Sequence, residues 1–319
     1  MSIIVILDTG YKSYAYEKEL FQRHGYTLLL YDGDPNNVLS KRAFARHATG
    51  ILIRGTAVDC EFYDSCPNLK AIVRYGVGYD NVNLPDATAR GIRVANVQGY
   101  ANHAVSDHAL ALIFACARGL IPGIAQIRSN FTAPPYEDVF ELHGKTLGII
   151  GLGRIGGTLA HKASGLFQQV IAVDPYKSDD HFISHNARRV DLDSLLAESH
   201  VISLHCNLTG ETRHMLNHVA FAKMKKRPVL INTARGPVVD ERALLDALES
   251  EKIHSAGLDV YEDEPPTVAQ EAILSHSRVV ATGHYAWYSD AAILTLQRRA
   301  ADNMIALLEG KDIQDCLNP

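Results

Sequence analysis

The sequence predicts an α/β protein built on doubly wound parallel sheets, and three observations carry that prediction. Short apolar runs alternate with helix-forming stretches through the first hundred residues. Residues 146–174 read as strand, glycine turn, helix, strand. The alternation then continues to a last long helix at 290–308. A chain of 319 residues is long enough for two domains with cores of their own.

In order, the apolar runs 3–7, 27–30, 50–53 and 71–73 predict strands, with a helical or turn segment such as 13–24 between them. The last run leads into Arg74-Tyr75-Gly76-Val77-Gly78-Tyr79-Asp80-Asn81. Two glycines two apart after a buried strand present backbone N–H groups to a ligand, or simply end the strand in a turn. A glycine-bearing link at 96–100 precedes a small, apolar, helix-forming stretch at 104–118. That stretch is apolar nearly all round, as expected of a helix buried between layers, and it is suited to joining two domains. The Pro134-Pro135 pair predicts a loop over 130–136.

The stretch at 146–174 has the most specific chemistry. The strand 147–150 enters Gly151-Leu152-Gly153-Arg154-Ile155-Gly156, and a helix follows from Ile155 to about 166. In this context G-x-G-x-x-G has a physical meaning. Gly151 permits the tight turn, Gly153 the close approach of a pyrophosphate, and Gly156 close packing of helix on strand. The pyrophosphate is expected on the backbone N–H groups of the helix N-terminus. A second strand, 170–173, ends on Asp174, 18 residues after Gly156. A carboxylate there accepts from a ribose diol and repels a 2′-phosphate, so the expected cofactor is NAD and not NADP. Strands at 201–204, 229–232, 254–260 and 279–281, with a helix opened by Asp240, complete a sheet of six or seven strands.

Composition narrows the functional classes. The net charge of −5 gives no reason to expect nucleic acid or an anionic membrane as partner. Cys60, Cys66, Cys116, Cys206 and Cys316 are scattered and odd in number, which points to reduced thiols in the cytoplasm. The N-terminus reads as a first strand and not a signal peptide, and no apolar run reaches membrane-spanning length. His181/His185 and His214/His218 have i,i+4 spacing but no evident third ligand. They read as solvated faces, and no metal is expected.

Three polar residues stand at or just past strand ends, where open α/β sheets place their ligands: Arg235, Glu264 and His284. Each has a bland reading, as a loop arginine, a member of an acidic solvated run, or one of fifteen histidines. Together they fit one reaction, hydride transfer between a 2-hydroxy acid and NAD. That reaction needs a group that takes the hydroxyl proton and can return it, and histidine titrates in the right range. A neighbouring carboxylate holds the tautomer and favours the imidazolium. An arginine suits the substrate carboxylate and the developing oxyanion.

These segments carry a resemblance. Residues 74–81, GLGRIGG at 151–157, INTARGPVVDERAL at 231–244, GLDVYEDEP at 257–265 and the histidine at 284 resemble, in order, the D-isomer-specific 2-hydroxyacid dehydrogenases. The resemblance implies a flavodoxin-like substrate domain (1–97 and 287–319) into which a Rossmann NAD domain (98–286) is inserted, with the active site in the cleft. It implies Arg235 on the substrate carboxylate and carbonyl, Glu264 supporting the histidine, and His284 as acid/base. Backbone around Tyr75, Gly76, Val77 and Gly78 would hold the substrate carboxylate. For the cofactor it implies Arg154 and Ile155 at the pyrophosphate, Asp174 at the adenosine ribose, backbone around Cys206, and Thr233 and Asp259 at the nicotinamide side. It also implies a homodimer built on the NAD domain.

Three positions depart from the family pattern. Gly283 stands where proline is usual, Asn207 lies where a proline is often near, and Ser106-Asp107 replaces the usual Ala-Glu of the linking helix. The run His284-Tyr285-Ala286-Trp287-Tyr288-Ser289, with Cys206, also resembles the C-terminal-binding-protein branch, in which a tryptophan lines the substrate pocket. Trp287, the chain's only tryptophan, therefore lines that pocket or packs at the domain hinge. Tyr75, Tyr285 and Trp287 point to an apolar or aromatic 2-oxo acid. Arg54 and Arg74 point to a second anion, unless they are surface residues. The expected activity is a 2-oxoacid reductase on small-molecule 2-hydroxy or 2-oxo acids. An NAD-sensing binding module is the alternative from a different class. A phosphoglycerate dehydrogenase is less favoured, since no added regulatory domain is expected after the closing helix. Formate oxidation is disfavoured by a carboxylate beside the acid/base.

Overall fold

The β-branched apolar runs become the strands of two all-parallel sheets, one of five strands and one of seven. The structure is a computed structural model that describes residues 2–131 and 138–319. Its chain divides into two units, Met1–Tyr100 with Ser289–Pro319, and Ala101–Tyr288.

In the first unit, β1 (Ser2–Ile6), β2 (Tyr26–Leu30), β3 (Gly50–Ile53), β4 (Ala71–Arg74) and β5 (Arg93–Ala95) pair in the order β2-β1-β3-β4-β5. Ile51, Leu52, Ile53, Ile72 and Val73 are fully buried, as strands covered on both faces require. The helix Asp290–Leu308 returns to this unit and packs on β3, β4 and β5. It comes so close that a Cβ at Gly50 would meet the Met304 sulfur at 2.5 Å. β5 has only three residues and no apolar run, and the sequence pattern did not predict it.

In the second unit, the strands are β6 (Thr146–Ile150), β7 (Gln169–Val173), β8 (Ala187–Arg189), β9 (Val201–Leu204), β10 (Val229–Asn232), β11 (Ser255–Leu258) and β12 (Val279–Ala281). Their order is β12-β11-β10-β9-β6-β7-β8. The winding reverses between β6 and β9, which makes the carboxyl ends of those strands the ligand-binding switch point. β8 is an edge strand with two exposed arginines, so no apolar pattern announced it. The strand expected over 254–260 stops at Leu258, and Asp259 onward leaves the sheet to build a loop.

The helix Asn102–Ala117 buries Ala109, Leu112, Ile113 and Cys116 against β10 and β11. Gly257 allows this approach, because a Cβ there would lie 2.9 Å from that of Leu112. Truncating a leucine in such a position costs about 2–5 kcal/mol. A second helix, Leu120–Arg128, follows at once and buries none of its residues. Pro122 lies in its first turn, where proline is tolerated. Most of the predicted loop 130–136, from residue 132 on, lies outside the described residues. Among the described residues, no single helix is long and apolar enough to cross a membrane.

Candidate active site

The glycine turn after β6 is held by close backbone contacts. Gly151 has φ +93°, a conformation that favours glycine, and a Cβ there would lie 2.6 Å from the Cys206 nitrogen just past β9. A Cβ at Gly156 would fall on the Gly151 carbonyl oxygen. Gly153 is the N-cap of the helix Arg154–Ala163, contributes no side-chain cap bond, and has open space beside it. The first turn, with Arg154 and Ile155, is therefore free of a side-chain cap and suited to an anion. Asp174 closes the turn. Its Oδ2 accepts from Leu152 N–H at 3.0 Å, and its Oδ1 accepts from Tyr176 N–H at 3.0 Å.

The surrounding groups are neutral or orphaned. Burial pushes the Cys206 thiol up to about 11, so it stays protonated at neutral pH. Burial also pushes the His205 imidazole down to about 4, and its Nε2 pairs with Ser203 Oγ at 2.8 Å. Thr233 Oγ1, just past β10, is buried with no hydrogen-bond partner among the described residues. A buried orphan hydroxyl, a glycine cradle and a carboxylate at the end of the second strand together suit a dinucleotide. Ser106 and Asp107, two of the departures from the family pattern, both receive Lys162 Nζ, at 2.8 and 2.7 Å. That contact ties the glycine-turn helix to the helix Asn102–Ala117.

The three predicted catalytic residues come from three adjacent strand ends. After β10, Asn232 folds the turn: its Oδ1 accepts from Ala234 N–H, and its Nδ2 donates to the Arg235 carbonyl, both at 3.0 Å. Gly236 lies directly on the Tyr261–Glu262 peptide, with no room for a Cβ. Arg235 is thereby held against the loop that carries Glu264. After β11, Glu264 Oε1 accepts from Tyr261 N–H at 3.1 Å. Its Oε2 meets His284 Nδ1 at 2.5 Å. Burial alone would raise the Glu264 carboxyl. The His284 hydrogen bond and charge, the Tyr261 N–H and the Arg235 guanidinium outweigh it and hold the group below the usual carboxylate range. The ionised carboxylate assigns the proton to Nδ1 and leaves Nε2 for a substrate.

After β12, His284 has φ +53°, which is uncommon for a residue other than glycine. Three side chains, those of Asp259, Trp287 and Tyr261, hold its loop. Buried Asp259 accepts from Thr282 Oγ1 at 2.5 Å, Tyr285 N–H at 3.1 Å and Ala286 N–H at 2.9 Å. Trp287 Nε1–H donates to the His284 carbonyl at 3.0 Å. Tyr261 donates its hydroxyl to the Thr282 carbonyl at 2.8 Å. A cavity of about 440 Å³ lies beside the pair, lined by Glu264, His284, Tyr261, Pro265 and Leu274 among others. Gly283 borders it, and a Cβ there would meet nothing within 4 Å.

In the other unit, the loop after β4 presents its backbone. The Gly76 carbonyl accepts from Val97 N–H at 2.9 Å, and the Val77 carbonyl accepts from the Asn96 amide at 2.6 Å. Because each peptide is planar and trans, the N–H groups of Val77 and Gly78 point the opposite way. Gly76 has φ +137°, and a Cβ there would fall on the Arg74 guanidinium. Tyr75 corrects one expectation. It is 1% exposed and donates its hydroxyl to buried Glu17 at 3.3 Å, so its ring is no part of a substrate surface. Burial pushes the Tyr11 phenol up, while the charges of Arg54 and Arg74 act against that shift. Two residues were not singled out for a site role in the sequence. Asp8 gathers the N–H groups of Arg54, Gly55 and Thr56 at 2.6 to 2.8 Å. His181, read there as solvated, bonds the Leu152 carbonyl. Among the described residues no three His, Cys, Asp or Glu side chains come together as a metal site.

Comparison with known proteins places the chain in a family. Residues 110–286 match the family model described as D-isomer specific 2-hydroxyacid dehydrogenase, NAD binding domain. The chain is 36% identical over 307 residues to glyoxylate/hydroxypyruvate reductase B of Serratia proteamaculans, covering 95% of this chain and 94% of that one. It is 39% identical over 259 residues to a glyoxylate reductase of Thermofilum pendens, covering 80% and 76%. Among solved structures, D-lactate dehydrogenase from Aquifex aeolicus, complexed with NAD and lactic acid, superposes with a TM-score of 0.88 at 28% identity, covering 100% and 99%. NAD is the cofactor of the Ala101–Tyr288 unit.

Proposed function

The chain belongs to the D-isomer specific 2-hydroxyacid dehydrogenase family and is an NAD-dependent oxidoreductase of 2-hydroxy acids; we propose that it works as a reductase of small 2-oxo acids, with His284 as acid/base. The observation that carries this reading is the His284 Nδ1–Glu264 Oε2 pair at 2.5 Å. When bound in the glycine turn, NADH would supply the hydride for the carbonyl carbon. His284 Nε2–H donates its proton to the carbonyl oxygen as negative charge develops there, and takes it back in the reverse reaction. Glu264, held ionised, stabilises the imidazolium that must be present at the start of reduction. Arg235 holds the substrate carboxylate and offers a fixed positive charge to the oxygen, an effect worth about 3–4 kcal/mol where one donor of this kind is removed. Val77 and Gly78 N–H take the substrate carboxylate in this reading, Thr233 meets the nicotinamide side, and Asp174 takes the ribose diol.

Relatives named for glyoxylate and hydroxypyruvate favour two- and three-carbon acids for this chain as well. The test is NADH oxidation by the purified protein against 2-oxo acids with small, apolar, aromatic, dicarboxylic and phosphorylated side chains. Preference for the smallest acids is expected. Preference for bulky apolar acids would put Trp287 in the pocket, and preference for doubly anionic acids would implicate Arg54 or Arg74. Silence across the panel with NADH still bound would overturn the enzyme reading in favour of an NAD-sensing binding module.

The helix Leu120–Arg128 shows Leu120, Ile121, Ile124 and Ile127, each 42–58% exposed. We propose that this apolar face of the NAD unit pairs with a second copy of the chain. Light scattering should give twice the 35.0 kDa chain mass, and a monomer at micromolar concentration would remove the proposal. All five cysteines are free thiols, which suits a cytoplasmic setting.

A further inference from the structure

His181 and His185 lie on and just after the short helix Asp179–Ser184, which follows β7 and Asp174. His181 is half-buried, and its Nε2 lies 2.8 Å from the Leu152 carbonyl oxygen in the middle of the glycine turn. A carbonyl oxygen only accepts, so Nε2 carries the proton. The His185 ring stands 4.3 Å from the His181 ring, tilted by 36°. His185 Nδ1 donates to the His181 carbonyl at 2.8 Å. The same His185 ring fills the space into which a Cβ at Gly157 would project. The two imidazoles are thus a wedge between this helix and the first turn of the helix Arg154–Ala163.

Leu152 is consequently held at both ends. Asp174 Oδ2 takes its N–H at 3.0 Å, and His181 takes its carbonyl at 2.8 Å. The Leu152 carbonyl and the Gly153 N–H belong to one planar trans peptide and point in opposite directions. Fixing the carbonyl on His181 therefore aims the Gly153 N–H away from the helix Asp179–Ser184, at a residue with open space beside it. Without His181, that peptide could rotate, and ordering it would be charged against the binding of an anion.

We propose that His181 is a cofactor-positioning residue: its Nε2–H fixes the Leu152 peptide and so presets the glycine turn for the NAD diphosphate. His185 keeps the His181 ring in place. This inference rests on the dinucleotide reading of the turn and not on the assignment of His284.

The test is calorimetric titration of the full chain with NADH and with ADP, which shares the diphosphate. Wild-type binding of NADH checks the dinucleotide reading separately. His181→Ala should weaken both ligands by about five- to tenfold, as loss of one hydrogen bond predicts. The KM for NADH should rise by more than kcat falls. His181→Gln restores an N–H at similar reach and should recover most of the affinity. An Ala variant that binds NADH and ADP like the wild type would overturn the proposal. If the Ala variant does not fold, the Gln variant decides: wild-type affinity supports the hydrogen bond, and weak binding with an unchanged melting temperature overturns it.

Discussion

Asp8, just past β1, with its side chain 8% exposed, and Asp259, just past β11 and buried, are carboxylates that each gather the backbone N–H groups of a distant loop. Asp8 holds residues 54–56 and is closed by Lys41 Nζ at 2.6 Å and by Thr56 Oγ1 at 2.6 Å. Asp259 holds residues 282–286 with neutral donors, and His108 Nε2 lies 3.6 Å from its Oδ1. The loop at Asp8 is in ordinary conformation, whereas the loop at Asp259 keeps His284 at φ +53°. The difference has a physical reason. In the proposed mechanism the His284 imidazole becomes cationic, and a lysine in the Asp259 cluster would add a fixed cation to the loop that carries it. Asp8 serves a loop with no such duty, and there a buried ion pair adds rigidity.

The contrast makes crossed predictions. The largest effect is expected from His284→Ala, which should lower kcat by about 10²- to 10⁴-fold, the usual worth of a general acid. Its NADH affinity and melting temperature should stay near those of the wild type. Retained turnover would remove His284 from the chemistry and leave its backbone conformation unexplained.

Asp8→Asn should do the reverse, with a smaller effect. Burial would raise the Asp8 carboxyl, but the bonds from Lys41, Thr56 and the Arg54 and Thr56 N–H groups bring it from 3.8 down to about 2. A depressed carboxyl stabilises the fold above its unfolded pKa, and that contribution is lost as pH falls from about 4 towards 2. The shift corresponds to about 2 kcal/mol for this nearly buried group, with a further cost if Lys41 is left unpaired. Urea unfolding at pH 7 should show that loss in Asp8→Asn, and the variant should lack the wild-type decline in stability between pH 4 and 2. An unchanged unfolding midpoint would mean that neutral donors suffice at Asp8 too, and the contrast would fail.

What was legible in the sequence is what depends on residue type. The glycine turn could be read because its requirements fall on residue type: Gly151 needs positive φ, and Gly156 needs the absence of a Cβ. The strands could be read where they are β-branched and buried, but not at β5 and β8, which are short and polar. His284 and Glu264 were grouped by their places at strand ends and by the reaction they fit, and then by the resemblance, because nothing in a separation of 20 residues announces a 2.5 Å contact. Asp8 and His181 were not found at all as organisers. Each acts on a backbone atom far along the chain, 46 residues from Asp8 to Arg54 and 29 from His181 to Leu152, and a backbone partner leaves no mark on composition. Tyr75 was misread because an aromatic beside a glycine loop looks exposed until the strand before it sets which way the ring turns.

Trp287 has one consequence of a different kind. It is the only tryptophan among 319 residues, and its indole N–H is bonded to the carbonyl of His284. Light absorbed at the red edge of the tryptophan band, beyond tyrosine, therefore excites a single side chain, and that side chain is hydrogen-bonded to the backbone that presents the imidazole. Any rearrangement of that loop during a catalytic cycle alters the hydrogen bond of the emitting group. The molecule carries its own optical probe of the His284 loop, and stopped-flow emission can follow that loop in the unlabelled protein.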